Sequence, residues 1–374
     1  MSELEAVTDG VLRRCRELGF ARAGIAPAEA TAYEAELRQW LAAGKHGEMG
    51  YLKRHEELLV DPRRVMPGAR SIVCVADRYA VGEGAEAFGR KGRDGAKGNC
   101  EGEGPRGRIA RYARGEDYHV VMKKRLHQLC DELGGRFPGE QFRACVDTAP
   151  LLEREYARRA GIGAIGKHTL LIEPGVGSYL LLGEVLTTLE LAPSEPVERD
   201  ICGRCRRCIE ACPTEAIALW SVDASRCISY LTIEHRRAID GDLFSGMGDR
   251  IFGCDVCQEV CPHNQPTLSK GEAAINPAYA RRREGFDLLK VLDWREEDRR
   301  AAFVKSAMRR ATLEMMKRNA LIAAGNILAE RDDAALEARI AAIARDKGED
   351  PMVRETARSV LARRRVAGEE ERAS

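Results

Sequence analysis

Apolar residues recur at helical spacing from the start of the chain: Leu4, Val7, Val11, Leu12, Cys15 and Leu18 predict a helix over residues 3–18. GFARAGIA follows as a first strand. Residues 28–58 predict helices with a break at Gly44 to Gly50, and SIVCVA (71–76), after the Pro67-Gly68 turn, predicts a buried strand. From Val81 to Gly107 the chain is rich in glycine and nearly devoid of apolar residues, which predicts a mobile surface loop. A helix near 117–133, a strand near 141–146 ending on Asp147, a helix from about Pro150 to Ala160 and a long strand in SYLLLGEVLTTLEL complete the pattern. Strands alternating with helices predict an α/β domain over residues 1–195.

LAPSEPVERD, with two prolines and several acidic residues, predicts a linker. A cysteine-dense unit over 196–266 follows, and then a tail over 267–374 dominated by Ala, Arg, Glu and Leu at helical period. Within the tail MKRNALIAAGNIL (316–328) and MVRETARSVLARR (352–364) align, which predicts a short HEAT-like helical stack. Arg281 to Arg283, Arg309-Arg310, Lys317-Arg318 and Arg363 to Arg365 make the tail locally basic. A solvated helix face and a nucleic-acid contact both fit that pattern.

The whole chain of 374 residues is nearly neutral, with 60 Lys and Arg against 59 Asp and Glu. A polyanionic partner would have to be met by a local patch. No apolar stretch approaches the roughly 18 residues that span a bilayer. The N-terminus shows no apolar leader, and Arg13-Arg14 is followed by nothing hydrophobic, so the expected location is the cytoplasm, with no membrane contact. A reducing compartment argues against disulfides and turns clustered cysteines into candidate ligands.

There are 13 cysteines. CGRCRRCIEACP places Cys202, Cys205, Cys208 and Cys212 in the CxxCxxCxxxCP spacing of bacterial ferredoxins, in which three thiolates hold one cubane and the fourth ligates a second. The second motif, CDVCQEVCP, supplies Cys254, Cys257 and Cys261, and Cys227 between the motifs supplies the missing ligand. By this exchange cluster one takes Cys202, Cys205, Cys208 and Cys261, and cluster two takes Cys212, Cys227, Cys254 and Cys257. Zinc is the competing reading, but it needs neither the CP endings nor the exchange. Cys15, Cys74, Cys100, Cys130 and Cys145 have no ligand spacing and read as ordinary thiols.

Gly161 to Gly166 match GxGxxG, yet they follow a helix and lead into apolar TLLI, the reverse of a dinucleotide site. Asp147, at the carboxyl end of a strand, fits either a ligand site or a helix N-cap, and spacing alone favours the cap.

Taken together, GEMGYL (47–52), DPRRVMPGARSIV (61–73), ARGEDYH (113–119), VDTAPLLEREYARRAGIGAIGKHTLLI (146–172), GSYLLLGEVLTTLEL (177–191), CISYLTIEHR (227–236) and FGCDVCQEVCPHN (252–264) resemble the epoxyqueuosine reductases. His168 stands where that family usually has Asn. The resemblance implies an oxidoreductase with a cobalamin-binding α/β domain like that of reductive dehalogenases, a ferredoxin-like unit with two [4Fe-4S] clusters and a helical tail. It implies reduction of epoxyqueuosine to queuosine at the wobble position of a tRNA anticodon, by a monomer fed by an external low-potential electron donor. It makes Asp147 the proton donor, with its carboxyl kept protonated by desolvation beside the corrin. Cobalamin contacts are implied at Arg64, Asp147, Leu171, Leu182, Ser229, Tyr230, Asp255 and Val256. Arg111, Arg114, Lys123, Lys124, Arg125 and the tail are candidates for tRNA phosphates. A cobalamin-dependent reductive dehalogenase and a non-catalytic electron carrier are the alternatives.

Overall fold

A computed structural model describes residues 2–80, 104–265 and 275–373. Strands Arg22–Pro27, Ser71–Arg78, Leu180–Thr187 and Phe142–Cys145 form one sheet in that spatial order. Every pairing is antiparallel. Alternating strands and helices more often build a parallel sheet; here the helical connections return each strand beside its neighbour in the reverse direction.

Helices cover both faces of this sheet. Val73, Val75, Leu181 and Val185 pack with Val11, Cys15, Met122, Leu126 and Leu129 from helices Glu3–Glu17 and Tyr118–Arg136. Ile72, Cys74, Ala76, Cys145 and Leu186 pack with Tyr156 and Ala157 of helix Glu153–Arg159. Strand Ser71–Arg78 is consequently buried along its whole length, as a strand between two layers must be. Each large apolar side chain enclosed this way contributes about 1.5–3 kcal/mol. Cys15, Cys74 and Cys145 belong to these cores, and burial holds their thiols protonated, Cys15 and Cys145 being pushed up to about 12.

The expected loop at 81–107 falls mostly outside the described residues, as does Cys100. Its end is corrected: Arg106–Ile109 is a strand, not loop. It lies in a second sheet between Arg250–Phe252, parallel to it, and Gly285–Asp287, antiparallel to it. Each of the three sequence segments thus donates one strand. Gly107 and Gly285 meet across this ladder, where a Cβ on Gly285 would lie 2.0 Å from the Gly107 carbonyl oxygen.

The proline-bearing segment after the first domain has no regular structure, but it is anchored. Ser194 donates its amide to the Ile25 carbonyl (2.9 Å), and its hydroxyl accepts from the Ile25 amide (3.0 Å). The exposed edge of the first strand is closed by these bonds. The glycine run 161–166 opens a hairpin, Ala164–Ile165 paired with Leu171–Ile172, rather than a helix, which agrees with the rejection of a dinucleotide site.

In the tail, helix Leu313–Glu330 packs into a core shared with the cysteine unit, where Met316, Ala320 and Ile322 cluster with Ile228, Leu231, Ile251 and Phe252. Arg318 is fully buried and donates to the carbonyls of Leu231, His235 and Arg237, while Asn319 donates to those of Thr232 and Ile251. Lys317 pairs with Glu349 at 2.8 Å. The basic dipeptide Lys317-Arg318 is therefore internal scaffolding and neither a solvated face nor a nucleic-acid contact.

Candidate active site and cluster centre

Asp147 follows strand Phe142–Cys145 in a left-handed backbone conformation, φ +52°. A non-glycine residue rarely adopts this, and such strain concentrates at functional sites. The N-cap reading is overturned: the next helix begins at Glu153, and Asp147 caps nothing. Instead its Oδ2 meets His119 Nε2 at 3.1 Å, and its backbone amide donates to Glu153 Oε1 at 2.6 Å. His119 Nδ1 meets Asp117 Oδ1 at 2.7 Å. Asp117 caps helix Tyr118–Arg136, so the first turn of that helix aims the imidazole at the strand end.

The Asp147 side chain is 44% exposed, and Arg154 beside it is exposed as well. Yet the Asp147 charge is felt by Tyr51, Tyr112, Tyr118, Glu153, Arg154, Glu184 and Glu234. Asp147 is thus open to solvent yet ringed by charged and phenolic side chains from several elements. Arg310 contributes from the tail, paired with Glu234 at 2.6 Å.

The expected protonated carboxyl is not what this geometry produces. Burial pushes Asp147 upward, but the His119 imidazole outweighs it and leaves the carboxyl below its ordinary value. Burial likewise works against charge on His119, but hydrogen bonds to Asp117 and Asp147 carry it up to about 9. The proton at this site rests on the imidazole.

Beneath Asp147 lies a second pair of acids. Glu184 is fully buried on the central strand, opposite Cys74 on one neighbour and Cys145 on the other. Neither of its oxygens has a partner at ordinary hydrogen-bond distance, and Glu153 is its nearest charged neighbour. Burial drives Glu184 far up, and Glu153 is pushed to about 7 by burial and then by the Asp147 charge. Burial thus biases both carboxyls toward their neutral forms.

Sequence reasoning did not single out His119, Glu153, Arg154 or Glu184. The first three sit within motifs already quoted, and an acidic residue inside the apolar run SYLLLGEVLTTLEL was the signal for Glu184.

In the cysteine unit, Asp200 Oδ1 accepts from the amides of Cys202 (2.8 Å) and Gly203 (3.2 Å), and Gly203 turns the loop with φ +49°. Burial pushes the Cys261 thiol up to about 11, with Cys202, Cys208 and Cys205 as its electrostatic neighbours. Burial pushes Cys254 up to about 12, with Cys227 adjacent, and Cys227 in turn neighbours Cys212. Cys257 neighbours Cys254 and Cys227, and also Cys208 of the other set. Amides of Ser229 and Tyr230 point at Cys227, and that of Val256 at Cys254. Among the described residues, no three His, Cys, Asp or Glu side chains converge closely enough for a single metal ion. A cubane spaces its thiolates at separate corners, so the donor set and its grouping fit clusters.

The residues put forward for cobalamin have diverse surroundings. Arg64 lies at the surface, 3.3 Å from Glu57. Leu171 is buried in the hairpin and Leu182 half-buried in the sheet. The Tyr230 hydroxyl accepts from the Glu48 amide (2.6 Å), and Asp255 Oδ2 accepts from the Arg111 amide (2.8 Å). Among the buried polar atoms without partners are the Tyr179 hydroxyl and Nε2 of His168, whose Nδ1 accepts from the Leu170 amide and so leaves the proton on Nε2. Of the basic residues suggested for tRNA, Arg125 is committed to buried Asp77, while Lys123 and Lys124 remain exposed.

Residues 60–148 match the family model described as epoxyqueuosine reductase, and residues 201–264 match the 4Fe-4S double cluster binding domain. Epoxyqueuosine reductase of Xanthomonas campestris is 39% identical over 329 residues, covering 87% of this chain and 88% of the relative. That of Pseudomonas aeruginosa is 36% identical over 312 residues, covering 83% of each. A crystal structure of epoxyqueuosine reductase with an epoxyqueuosine-modified tRNA-Tyr stem loop superposes with a TM-score of 0.80 at 26% identity, covering 94% of this chain and 88% of that one. No helix among the described residues is long and apolar enough to cross a membrane. Relatives at this identity and coverage, together with the matches to the epoxyqueuosine reductase and double-cluster models, make the chain an oxidoreductase that belongs to the epoxyqueuosine reductase family.

Proposed function

We propose that the chain reduces epoxyqueuosine to queuosine at the wobble position of a tRNA anticodon, with Asp147 as the proton-delivering carboxyl, two [4Fe-4S] clusters as the electron supply and cobalamin as the bound cofactor. The observation that carries this reading is the placement of Asp147, strained, solvent-accessible and hydrogen-bonded to His119, with Arg154 near enough to feel both its charge and the Cys227 and Cys257 thiols. Electrons from an external low-potential donor would enter at the exposed 202–207 loop and pass from the Cys202 set to the Cys254 set, which meet at Cys208 and Cys257.

The residues present suit a large amide-bearing cofactor. The orphaned His168 Nε2 and Tyr179 hydroxyl can serve its amides. Leu171 and Leu182 supply apolar support, and Arg64, Ser229, Tyr230, Asp255 and Val256 complete the proposed set. Cobalamin, when bound, converts single electrons into two-electron chemistry at carbon. The protein's own part is to hold the anticodon base over Asp147 and deliver protons at its Oδ2, where the oxygen of the epoxide departs.

Anaerobic incubation with epoxyqueuosine-bearing tRNA, a chemical reductant and cobalamin, followed by nucleoside analysis, tests the reading. Queuosine should form, and Asp147→Asn should abolish it while retaining iron and cobalamin. Absence of queuosine with both cofactors bound rejects the substrate assignment, and a fully active Asp147→Asn rejects the proton donor.

A further inference from the structure

The proposed reaction consumes two electrons and two protons for each epoxide turned into an alkene, and the oxygen leaves as water. A single carboxyl delivers one proton at a time, so Asp147 must be reloaded within each turnover. This argument rests on the reading of Asp147 given above.

Among the described residues, two side chains hydrogen-bond to Asp147, and one of them reaches its carboxylate. Glu153 accepts from the backbone amide and does not reach the carboxylate. His119 does, at 3.1 Å from Oδ2. Its other ring nitrogen is held at 2.7 Å by Asp117 Oδ1, which also accepts the His119 amide at 3.1 Å. An ionised carboxylate can only accept, so the ring between two of them carries protons on both nitrogens. The imidazole stacks on Tyr118 with centroids 3.9 Å apart, and its side chain remains 30% exposed, which gives it both a fixed aim and a route to water.

The groups around this pair come from several elements. Asp117 and Tyr118 flank His119 on its own helix. Glu153 and Arg154 stand behind Asp147 on the next helix, and Tyr112 lies on the 111–113 turn. Arg309 acts on Asp117, and Arg310, paired with Glu234, acts on Asp147. Tyr51 approaches from the 50–54 helix. The two carboxylates that touch the ring outweigh its partial burial.

We propose that His119 is the proton-reloading residue of the site, passing its Nε2 proton to the Asp147 carboxylate and taking a replacement from solvent. His119 protonates Asp147, which gives that proton to the epoxide oxygen as the first C–O bond breaks, and His119, reloaded from solvent, protonates Asp147 again. The second C–O bond breaks as the second proton arrives, and the oxygen departs as water. The two electrons are those of the external donor, and both protons come from solvent through His119, which ends the turnover protonated beside an ionised Asp147, as it began. His119 acts through Asp147 and is a positioning residue.

The test compares wild type, His119→Gln, His119→Ala and Asp147→Asn, each loaded with clusters and cobalamin. Wild-type kcat should hold to about pH 8.5 and fall above about 9. His119→Gln should lose that limb and about 10²-fold in kcat, with KM for tRNA unchanged. Added imidazole should restore His119→Ala and not Asp147→Asn. A readout independent of turnover is histidine Cε1 NMR of the cluster-loaded chain. His119 should titrate near 9 and fall toward the ordinary value, about 6.5, in Asp147→Asn. A His119→Gln enzyme with the wild-type limb and rate, or a His119 that titrates near its ordinary value in both chains, overturns the inference. Activity in Asp147→Asn would instead overturn the reading on which it rests. Should either His119 variant fail to fold, the NMR comparison still decides.

Discussion

The ammonium of Lys167, in the hairpin of the first domain, donates to the backbone carbonyls of Gly203 and Cys205, the latter at 3.1 Å. It is buried, and its outer side faces the Trp220 ring at 5.4 Å. One side chain thus fixes the loop that presents Cys202 and Cys205.

Replacing it makes that loop pliable. Charge-assisted hydrogen bonds of this kind contribute about 1.5–3 kcal/mol each. Lys167→Met should lose about half of its iron on anaerobic gel filtration, because in the proposed ligand sets one of the two cubanes is held by this loop. Retention of the full iron complement would show that the lysine is dispensable.

The proposed exchange of ligands between motifs makes a paired prediction. Cys261→Ala should lose the same cluster as Cys202→Ala, although Cys261 lies in the second motif, and Cys212→Ala should match Cys254→Ala. Mössbauer or EPR spectra of the four variants separate the outcomes. A Cys261→Ala protein that matches Cys254→Ala instead would mean each motif holds its own cluster.

Glu184 predicts a pH dependence of stability. Its carboxyl titrates higher in the folded chain than in the unfolded one, because burial disfavours the anion. The folded state therefore binds a proton that the unfolded state releases above about pH 4.3, and stability falls as pH rises from there. The slope is about 1.4 kcal/mol per pH unit while only the folded form is protonated. Glu184→Gln carries no such proton and should flatten the slope, so its thermal midpoint relative to wild type should rise between pH 5.5 and 8. Parallel midpoints at both pH values would contradict this account.

Arg318 joins the tail to the cysteine unit through three backbone carbonyls, with no carboxylate hydrogen-bonded to it among the described residues. Burial lowers its guanidinium to about 10, still charged at neutral pH. Arg318→Met leaves those carbonyls unpaired and should cost about 3 kcal/mol, seen as an earlier urea midpoint. An unchanged midpoint would mean that water replaces the guanidinium without penalty.

Much of this molecule is legible in its sequence, for reasons that differ by element. Periodicity located the helices Glu3–Glu17 and Tyr118–Arg136 and the strand Ser71–Arg78 within a few residues, because each buries one face or both. Cysteine spacing is local geometry and so survives in the linear chain. Strand direction does not, since antiparallel and parallel neighbours present the same apolar run. Arg106–Ile109 escaped because two of its four residues are exposed only in part and it sits in a glycine-rich stretch. His119 and Asp147 are separated by 28 residues and meet only through the fold, so a pattern reading assigns a proton to the wrong partner. Arg318 looked like surface charge because its acceptors are backbone carbonyls, which no side-chain pattern reveals.

The second sheet also sets an order of assembly during synthesis. Arg106–Ile109 leaves the ribosome long before either strand that flanks it, one beginning at Arg250 and the other at Gly285. Until both have emerged, the nascent chain carries an unsatisfied strand edge beside exposed thiols. Closure of this sheet thus falls late, and a chain truncated before residue 285 is left with an adhesive edge where the finished enzyme has a seam.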